Sequence, residues 1–285
     1  MQSGQKNVRE LLEGHGFKFS KSKGQNFLID ANILEKIVRL SGVDETYGVL
    51  EVGPGIGALT VQLARAAGSV TAVELDERLL PILSVELEGF DNVEVILGDI
   101  LKTDIAKLVN DKMQGLKPCV CANLPYNITS PAISALIDSG VFEFIIVMVQ
   151  REVAMRMCAK AGSPDYGAFT VYVNYFTEPE ILFDVPPGCF MPKPKVFSSV
   201  VKLKAREKRF LAPSEEKQFF RVVKAAFGQR RKTLVNALHS AYGATMQKDE
   251  ITEIVTACGF DPRIRGEALG IEEFMRLSAC FVCKT

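Results

Sequence analysis

From Ile29 to Leu203 the chain alternates short apolar runs with stretches of helical periodicity; beyond that only the helical period remains. The first helical stretch places Ile33, Leu34, Ile37 and Val38 on one face, with Asp30 as its cap. Residues 48–53 predict a strand, followed directly by a glycine-rich turn and a helix carrying Leu59, Leu63 and Ala64 on one side. A second strand over 70–73 ends at Glu74, and a third over 93–97 ends at Gly98-Asp99, with a helix over about 77–87 between them. A fourth strand over 117–122 ends at Asn123. A helix over 130–139, a strongly apolar strand over 144–149 and a helix over 152–158 follow. This alternation is the order of a parallel, doubly wound α/β sheet.

Residues 167–176 carry two patterns at once. Phe169, Val171, Val173 and Tyr175 alternate as in a strand. We assign a helix, because a crossover is needed to reach the next parallel strand. Strands are expected over 181–185 and 198–203, on either side of a proline-rich loop over 186–194. The charged stretch 204–210 reads as a linker, giving an α/β domain over 1–207 and an all-helical domain over 208–285. In the second, Ser214 is expected to cap a helix with Phe219, Phe220, Val223, Ala226 and Phe227 inward, and helices over 232–242, 251–258 and 271–280 complete it. The first 19 residues are read as a short helix over 8–13 and a loose arm; Lys18, Lys21 and Lys23 make a small basic cluster there.

Composition narrows the class. With 47% apolar residues, 285 residues bury enough for two domains. Lys plus Arg equals Asp plus Glu at 34 each, but residues 206–285 hold 14 basic against 10 acidic residues. The helical part is therefore the positive one, which suits a nucleic-acid partner better than the neutral total suggests. The first ten residues lack an apolar signal core, and no run approaches the roughly 20 residues that span a bilayer. A cytoplasmic protein without a membrane partner is expected. Seven cysteines suit free thiols. Cys280 and Cys283 have metal-type spacing but no second pair, so no metal is expected.

The candidate chemistry sits at strand ends. A glycine-rich turn after the first strand, Gly53-x-Gly55-x-Gly57, lets backbone approach a ligand, and an acid about 20 positions on suits ribose hydroxyls. Glu74 is that acid. Turn plus acid fits both NAD and S-adenosylmethionine; we read the glycine spacing as favouring the latter. Asp99, at the third strand end, is placed to accept from an adenine amino group, although aspartates also cap helices routinely. Asn123-Leu124-Pro125-Tyr126 ends the fourth strand, which lies beside the first in this architecture. Its amide suits an amino group on a planar base. Pro125 stiffens the loop and Tyr126 offers a ring to a flipped base. The alternative, an ordinary turn, is strong for Asn-x-Pro alone and weak for the tetrad at this position. Phe190 in the proline-rich loop is either a stacking platform facing Tyr126 or a plug for the core, with Lys193 and Lys195 near it for phosphate. Gln229-Arg230-Arg231-Lys232 is read as opening a helix, and with Arg221 and Lys224 it makes a basic face suited to RNA. Cations at a helix start are disfavoured by the dipole, which hints at a partner.

Six stretches together carry a family resemblance. They are residues 24–28 (Gly-Gln-Asn-Phe-Leu), 51–60 (Glu-Val-Gly-Pro-Gly-Ile-Gly-Ala-Leu-Thr), 123–126, 192–196 (Pro-Lys-Pro-Lys-Val), 229–234 (Gln-Arg-Arg-Lys-Thr-Leu) and 265–267 (Arg-Gly-Glu). The chain resembles the small-subunit ribosomal RNA adenine dimethyltransferases. The resemblance implies a class I methyltransferase domain with a seven-stranded sheet whose last strand is antiparallel, and a small helical domain for rRNA. It implies transfer of methyl groups from S-adenosylmethionine, with S-adenosylhomocysteine as product, to N6 of two adjacent adenosines in the 3′-terminal hairpin of small-subunit rRNA within the assembling subunit; a monomer is expected. It places Asn26, Leu28, Gly53, Glu74, Asp99 and Asn123 at the cofactor. Asn123, Leu124, Pro125 and Tyr126 fall at the target amine, with Phe190 opposite Tyr126. Phe197 departs from the pattern, where a small or polar residue is expected. The erythromycin-resistance methylases and the mitochondrial transcription factors of this fold are the rivals. Asn-Leu-Pro-Tyr and the Gln-Arg-Arg-Lys stretch speak against the first, and methyl transfer itself separates the second.

Overall fold

The computed structural model describes residues 25–282, with Glu10 and Gly14. Apart from Glu10, the helix expected over 8–13 lies outside the described residues, as do Lys18, Lys21, Lys23 and Cys283. The chain forms two compact units. The first comprises residues up to Ala154 together with Glu178–Ala205; the second comprises Met155–Thr177 and everything from Arg206 on. The expected single cut at residue 207 is therefore crossed: residues 155–177 pack with the helical unit and the chain then returns to the sheet.

The first unit is built on a seven-stranded sheet of β2 (Tyr47–Val52), β3 (Ser69–Glu74), β4 (Val93–Leu97), β5 (Lys117–Asn123), β6 (Phe144–Gln150), β7 (Thr177–Val185) and β9 (Ser198–Ala205). Their spatial order is β4-β3-β2-β5-β6-β9-β7. Strands β2 to β6 pair in parallel, and β9 runs antiparallel to β6. The central strands are apolar on both faces; Val49 and Leu50 of β2 and Val147 and Val149 of β6 are wholly buried, as a sheet covered by helices on both sides requires. Helices α1 (Ala31–Ser41), α2 (Ala58–Ala66), α3 (Leu80–Glu86), α4 (Ile105–Lys112) and α5 (Thr129–Ser139) make the covering layers. Asp30 caps α1 as expected, accepting from Asn32 N and Ile33 N. The switch in strand order falls between β2 and β5, so their carboxyl ends open a crevice at the place where such sheets bind ligands.

A second, two-stranded sheet decides the position of Phe190. Strand β1 (Phe27–Leu28) pairs antiparallel with β8 (Phe190–Met191), Leu28 opposite Phe190. Phe190 is only 2% exposed and packs in one apolar cluster with Leu28, Leu34, Cys189 and Val200. The proline-rich loop thus presents this ring to the core. Its packing is that of a core residue, and it is not among the residues lining the cavity at the strand ends.

In the second unit, α6 (Arg151–Met157) brings the chain in, and α7 (Ala168–Phe176) is the helix assigned to the ambiguous stretch. Thr170 Oγ1 donates to Arg156 O at 2.7 Å, and Asn174 Nδ2 to Met157 O at 2.8 Å, so the two helices are tied through polar side chains. α8 (Pro213–Gly228), α9 (Leu234–Tyr242), α10 (Lys248–Ala257) and α11 (Ile271–Val282) enclose a core in which Tyr175, Phe219, Tyr242, Phe274 and Phe281 are nearly or fully buried. α8 begins one residue before the expected Ser214 cap. Pro213 occupies its first turn, where a missing N–H costs nothing, and Glu215 reaches back to Ala212 N at 3.0 Å. No helix among the described residues is long and apolar enough to cross a membrane.

Candidate active site

One cavity in the first unit gathers nearly every residue singled out at the strand ends: Asn26 and Leu28, Gly53, Glu74, Asp99, and Asn123 through Tyr126 all line it. Its floor is the turn after β2. Gly53, Gly55 and Gly57 all have positive φ, at 68°, 62° and 82°, a conformation that side chains with a Cβ resist. At Gly55 the limit is also steric, since a Cβ there would meet Phe27 Cδ1 at 2.8 Å. Gly57 then serves as the left-handed N-cap of α2.

Glu74 is fixed from two sides. Its Oε2 accepts from Gly55 N at 3.2 Å and its Oε1 from Asp76 N at 2.7 Å. Burial raises its pKa, and those backbone donors lower it in part. Gly98 N donates to Glu74 O at 2.8 Å, tying the end of β4 to that of β3. Asp99 follows; its Oδ1 accepts from Leu101 N at 3.0 Å and its Oδ2 lies 3.7 Å from Lys102 Nζ.

Asn123 and Asn26 meet across the cavity mouth. Asn123 Nδ2 donates to Asn26 O at 3.1 Å, which leaves the side-chain oxygen to accept. Pro125 O accepts from Ile128 N and Thr129 Oγ1, both at 3.2 Å, and so is committed to the start of α5. Leu124 is 1% exposed and its N–H donates to Met148 O at 3.2 Å, fixing the tetrad to β6. The Tyr126 hydroxyl lies 2.7 Å from Ser198 Oγ on β9, which anchors the tip of its ring; burial raises its pKa.

The sequence did not single out Glu51 as a site residue. It is 1% exposed, lines the same cavity, and its Oε2 has no hydrogen-bond partner among the described residues. Burial pushes its carboxyl up to about 8; the Thr60 hydroxyl on α2 opposes this and the Glu74 carboxylate on β3 adds to it. Cys121 on β5 is the other titratable group beside it. The available signal was a single acid inside an apolar strand run. Folded chain holds this proton up to about pH 8, whereas unfolded chain releases it near the ordinary 4.5. The folded state therefore binds more protons through that window, and stability falls as pH rises through it. Glu51→Gln is expected to flatten the fall in unfolding midpoint between pH 6 and pH 8, followed by circular dichroism. Equal slopes in the two proteins would contradict the assignment.

Comparison with known proteins identifies the family. The family described as ribosomal RNA adenine dimethylase matches residues 16–259. The chain belongs to that family. It is an enzyme family, and the chain is a methyltransferase. A ribosomal RNA small subunit methyltransferase A from Geobacillus kaustophilus is 46% identical over 95% of this chain and 94% of its own length. One from Clostridioides difficile is 47% identical over 95% and 93%. Among solved structures, a dimethyladenosine transferase from Plasmodium falciparum superposes with a TM-score of 0.73 at 27% identity, covering 90% of this chain and 97% of that one. The 23S rRNA methyltransferase ErmE shares the fold with a TM-score of 0.66 at 24% identity. The expected class I methyltransferase sheet with a helical C-terminal part is the fold of the dimethylase family seen here.

The basic stretch of the second unit differs from its expectation. Residues 229–232 form the turn after α8, and α9 begins later, capped by Thr233. The cations therefore lie between the C-terminus of α8, whose dipole favours them, and the N-terminus of α9, whose dipole does not, so the argument from an unfavourable helix start loses its force. Arg230 Nη2 donates to Pro164 O at 2.7 Å and pairs with Glu267 at 3.5 Å. Arg221 stacks on the Tyr242 ring at 4.6 Å. Lys224, Arg231 and Lys232 are exposed.

Proposed function

We propose that this dimethylase uses S-adenosylmethionine to methylate N6 of two adjacent adenosines in the 3′-terminal hairpin of small-subunit rRNA. We place it as a cytoplasmic monomer acting on the assembling small subunit. The observation that carries the reading is the convergence of Glu51, Glu74, Asp99 and Asn123 on one cavity with a glycine floor. The cavity suits the cofactor: a buried carboxyl oxygen of Glu51 has no hydrogen-bond partner among the described residues, and at Gly53 the absent Cβ leaves the nearest atom, on Pro125, 3.8 Å away. When bound, S-adenosylmethionine supplies an electrophilic methyl group. Glu74 would hold ribose hydroxyls, Asp99 would accept from the adenine amine, Gly53 and the Asn26–Leu28 segment would shape the amino-acid end, and Glu51, protonated while the cavity is empty, would ionise only beside a bound cationic group.

The target amine has a lone pair delocalised into its ring and is a poor nucleophile. Asn123 Oδ1 accepts a hydrogen bond from one N6–H, and the Leu124 carbonyl, left over when Pro125 O is used by α5, accepts one from the other, the protons staying on nitrogen until the methyl has been transferred. This favours the tetrahedral nitrogen, whose lone pair is free to attack. Tyr126, set by Ser198, stacks on the flipped base. Phe190 acts at a distance by holding β1 and hence Asn26 in place. Lys224, Arg231 and Lys232 give the RNA backbone exposed cations; Arg221 and Arg230 contribute charge while serving structure.

Glu74→Ala is expected to weaken S-adenosylmethionine binding by roughly 1.5–3 kcal/mol, the range for a hydrogen bond to a charged group. Titration calorimetry on the full chain measures this. Unchanged affinity would contradict the site, since the same substitution also frees Gly55 N in the cavity floor.

A further inference from the structure

Phe197 stands 47% exposed and Val196 beside it 45%. Among the described residues no other ring packs on Phe197 in an aromatic pair. Yet the backbone under it is held firmly. Arg151 N donates to Phe197 O at 3.0 Å, and the Arg151 guanidinium lies 3.3 Å from Asp184 Oδ2. Asp184 Oδ1 in turn accepts from Ser199 Oγ at 2.6 Å. The next residue, Ser198, is fully buried and is the one whose hydroxyl fixes Tyr126. The exposed ring thus leaves the chain one residue from the group that orients the base-stacking tyrosine. On the same stretch Lys193 and Lys195 are exposed, and Pro192 and Pro194 stiffen it.

We propose that Phe197, with Val196 beside it, is a stacking platform for the nucleotide flanking the target adenosine, with Lys193 and Lys195 on the adjoining phosphates. The proposal rests on the RNA-adenine reading of the neighbouring site. Every base offers a π-face, so an exposed ring next to cations holds single-stranded nucleotides whatever their identity. Val196 beside the ring is apolar, but the two exposed lysines just before it suit a partner that carries phosphates. A flipped adenosine leaves its neighbour unstacked on one side, and a ring offered there replaces the lost contact.

The chain contains no tryptophan, so Phe197→Trp introduces a single indole reporter at a surface position that threatens no core packing. The probe is a synthetic RNA hairpin with two adjacent adenosines in its loop, its binding followed by anisotropy of an end label. At saturation the indole emission is expected to be quenched, and a hairpin abasic beside the target adenosine is expected to bind with little quenching. Phe197→Ala is expected to weaken hairpin binding about tenfold, and Phe197→Tyr to restore it. Saturable binding without quenching, or equal quenching by the abasic hairpin, would overturn the platform while leaving the catalytic site intact. Loss of affinity in Phe197→Ala for whole small subunits but not for the hairpin would place the ring against a ribosomal protein and overturn it too. Failure of the wild-type chain to bind either RNA would overturn the RNA-adenine reading itself.

Discussion

Asn123→Ala is expected to fold, to bind S-adenosylmethionine and RNA, and to lose methyl transfer by about 10²–10³-fold, the range for removing one positioned hydrogen-bonding group. The side chain is half-buried, and its one hydrogen bond among the described residues goes to Asn26 O. Truncation leaves that carbonyl at the cavity mouth, where water can replace the lost donor, so the cost to folding is small. The amide has no useful basicity near neutral pH, so it cannot act by removing a proton. Its effect belongs to the transition state, where N6 becomes tetrahedral and its protons more acidic. Single-turnover methylation at saturating cofactor isolates this step. A rate near wild type would take the tetrad out of the mechanism.

The other large effect is on stability. Phe190→Ala is expected to cost about 3–5 kcal/mol, the range for emptying a buried aromatic site. Phe190→Leu keeps most of the volume and is expected to cost less than about 1.5 kcal/mol and to keep methyl transfer within a few-fold. The alanine variant is also expected to loosen the cofactor, because Phe190 pairs with Leu28 and the preceding Asn26 holds Asn123. Unfolding midpoints and calorimetry separate the two roles. A platform would show the reverse: unchanged stability, with methyl transfer lost equally in Ala and Leu.

Phe190 also shows where sequence reasoning stops. Prolines and a glycine around it read as an exposed turn, and its burial follows from pairing with a strand far away in the chain. Local pattern carries no such information. The return of residues 155–177 to the helical unit is missed for the same reason, since their apolar faces say that a partner exists and not which one. The strand-end series was legible because each member sits at a fixed offset from an apolar run; Gly53, Glu74, Asp99 and Asn123 all fall where the periodicity breaks. The glycine spacing carried less than it promised: Ala58 supplies the small third position of a dinucleotide fingerprint, so the glycines alone do not separate NAD from S-adenosylmethionine. Glu51 stayed hidden because an acid in a strand does not announce how deeply it is buried. The run Gln229–Lys232 misled because charge obscured Thr233, the residue that caps the helix.

The central claim is that Asn123 to Tyr126 present adenine N6 of small-subunit rRNA to S-adenosylmethionine. It is tested most directly by incubating the protein with small ribosomal subunits that lack the modification, using methyl-labelled S-adenosylmethionine, and mapping the label to the nucleotide. The account predicts label in two adjacent adenosines of the 3′-terminal hairpin, recovered as N6,N6-dimethyladenosine and abolished by Asn123→Ala. Label in large-subunit rRNA instead, or none from a protein that binds the cofactor, would contradict it.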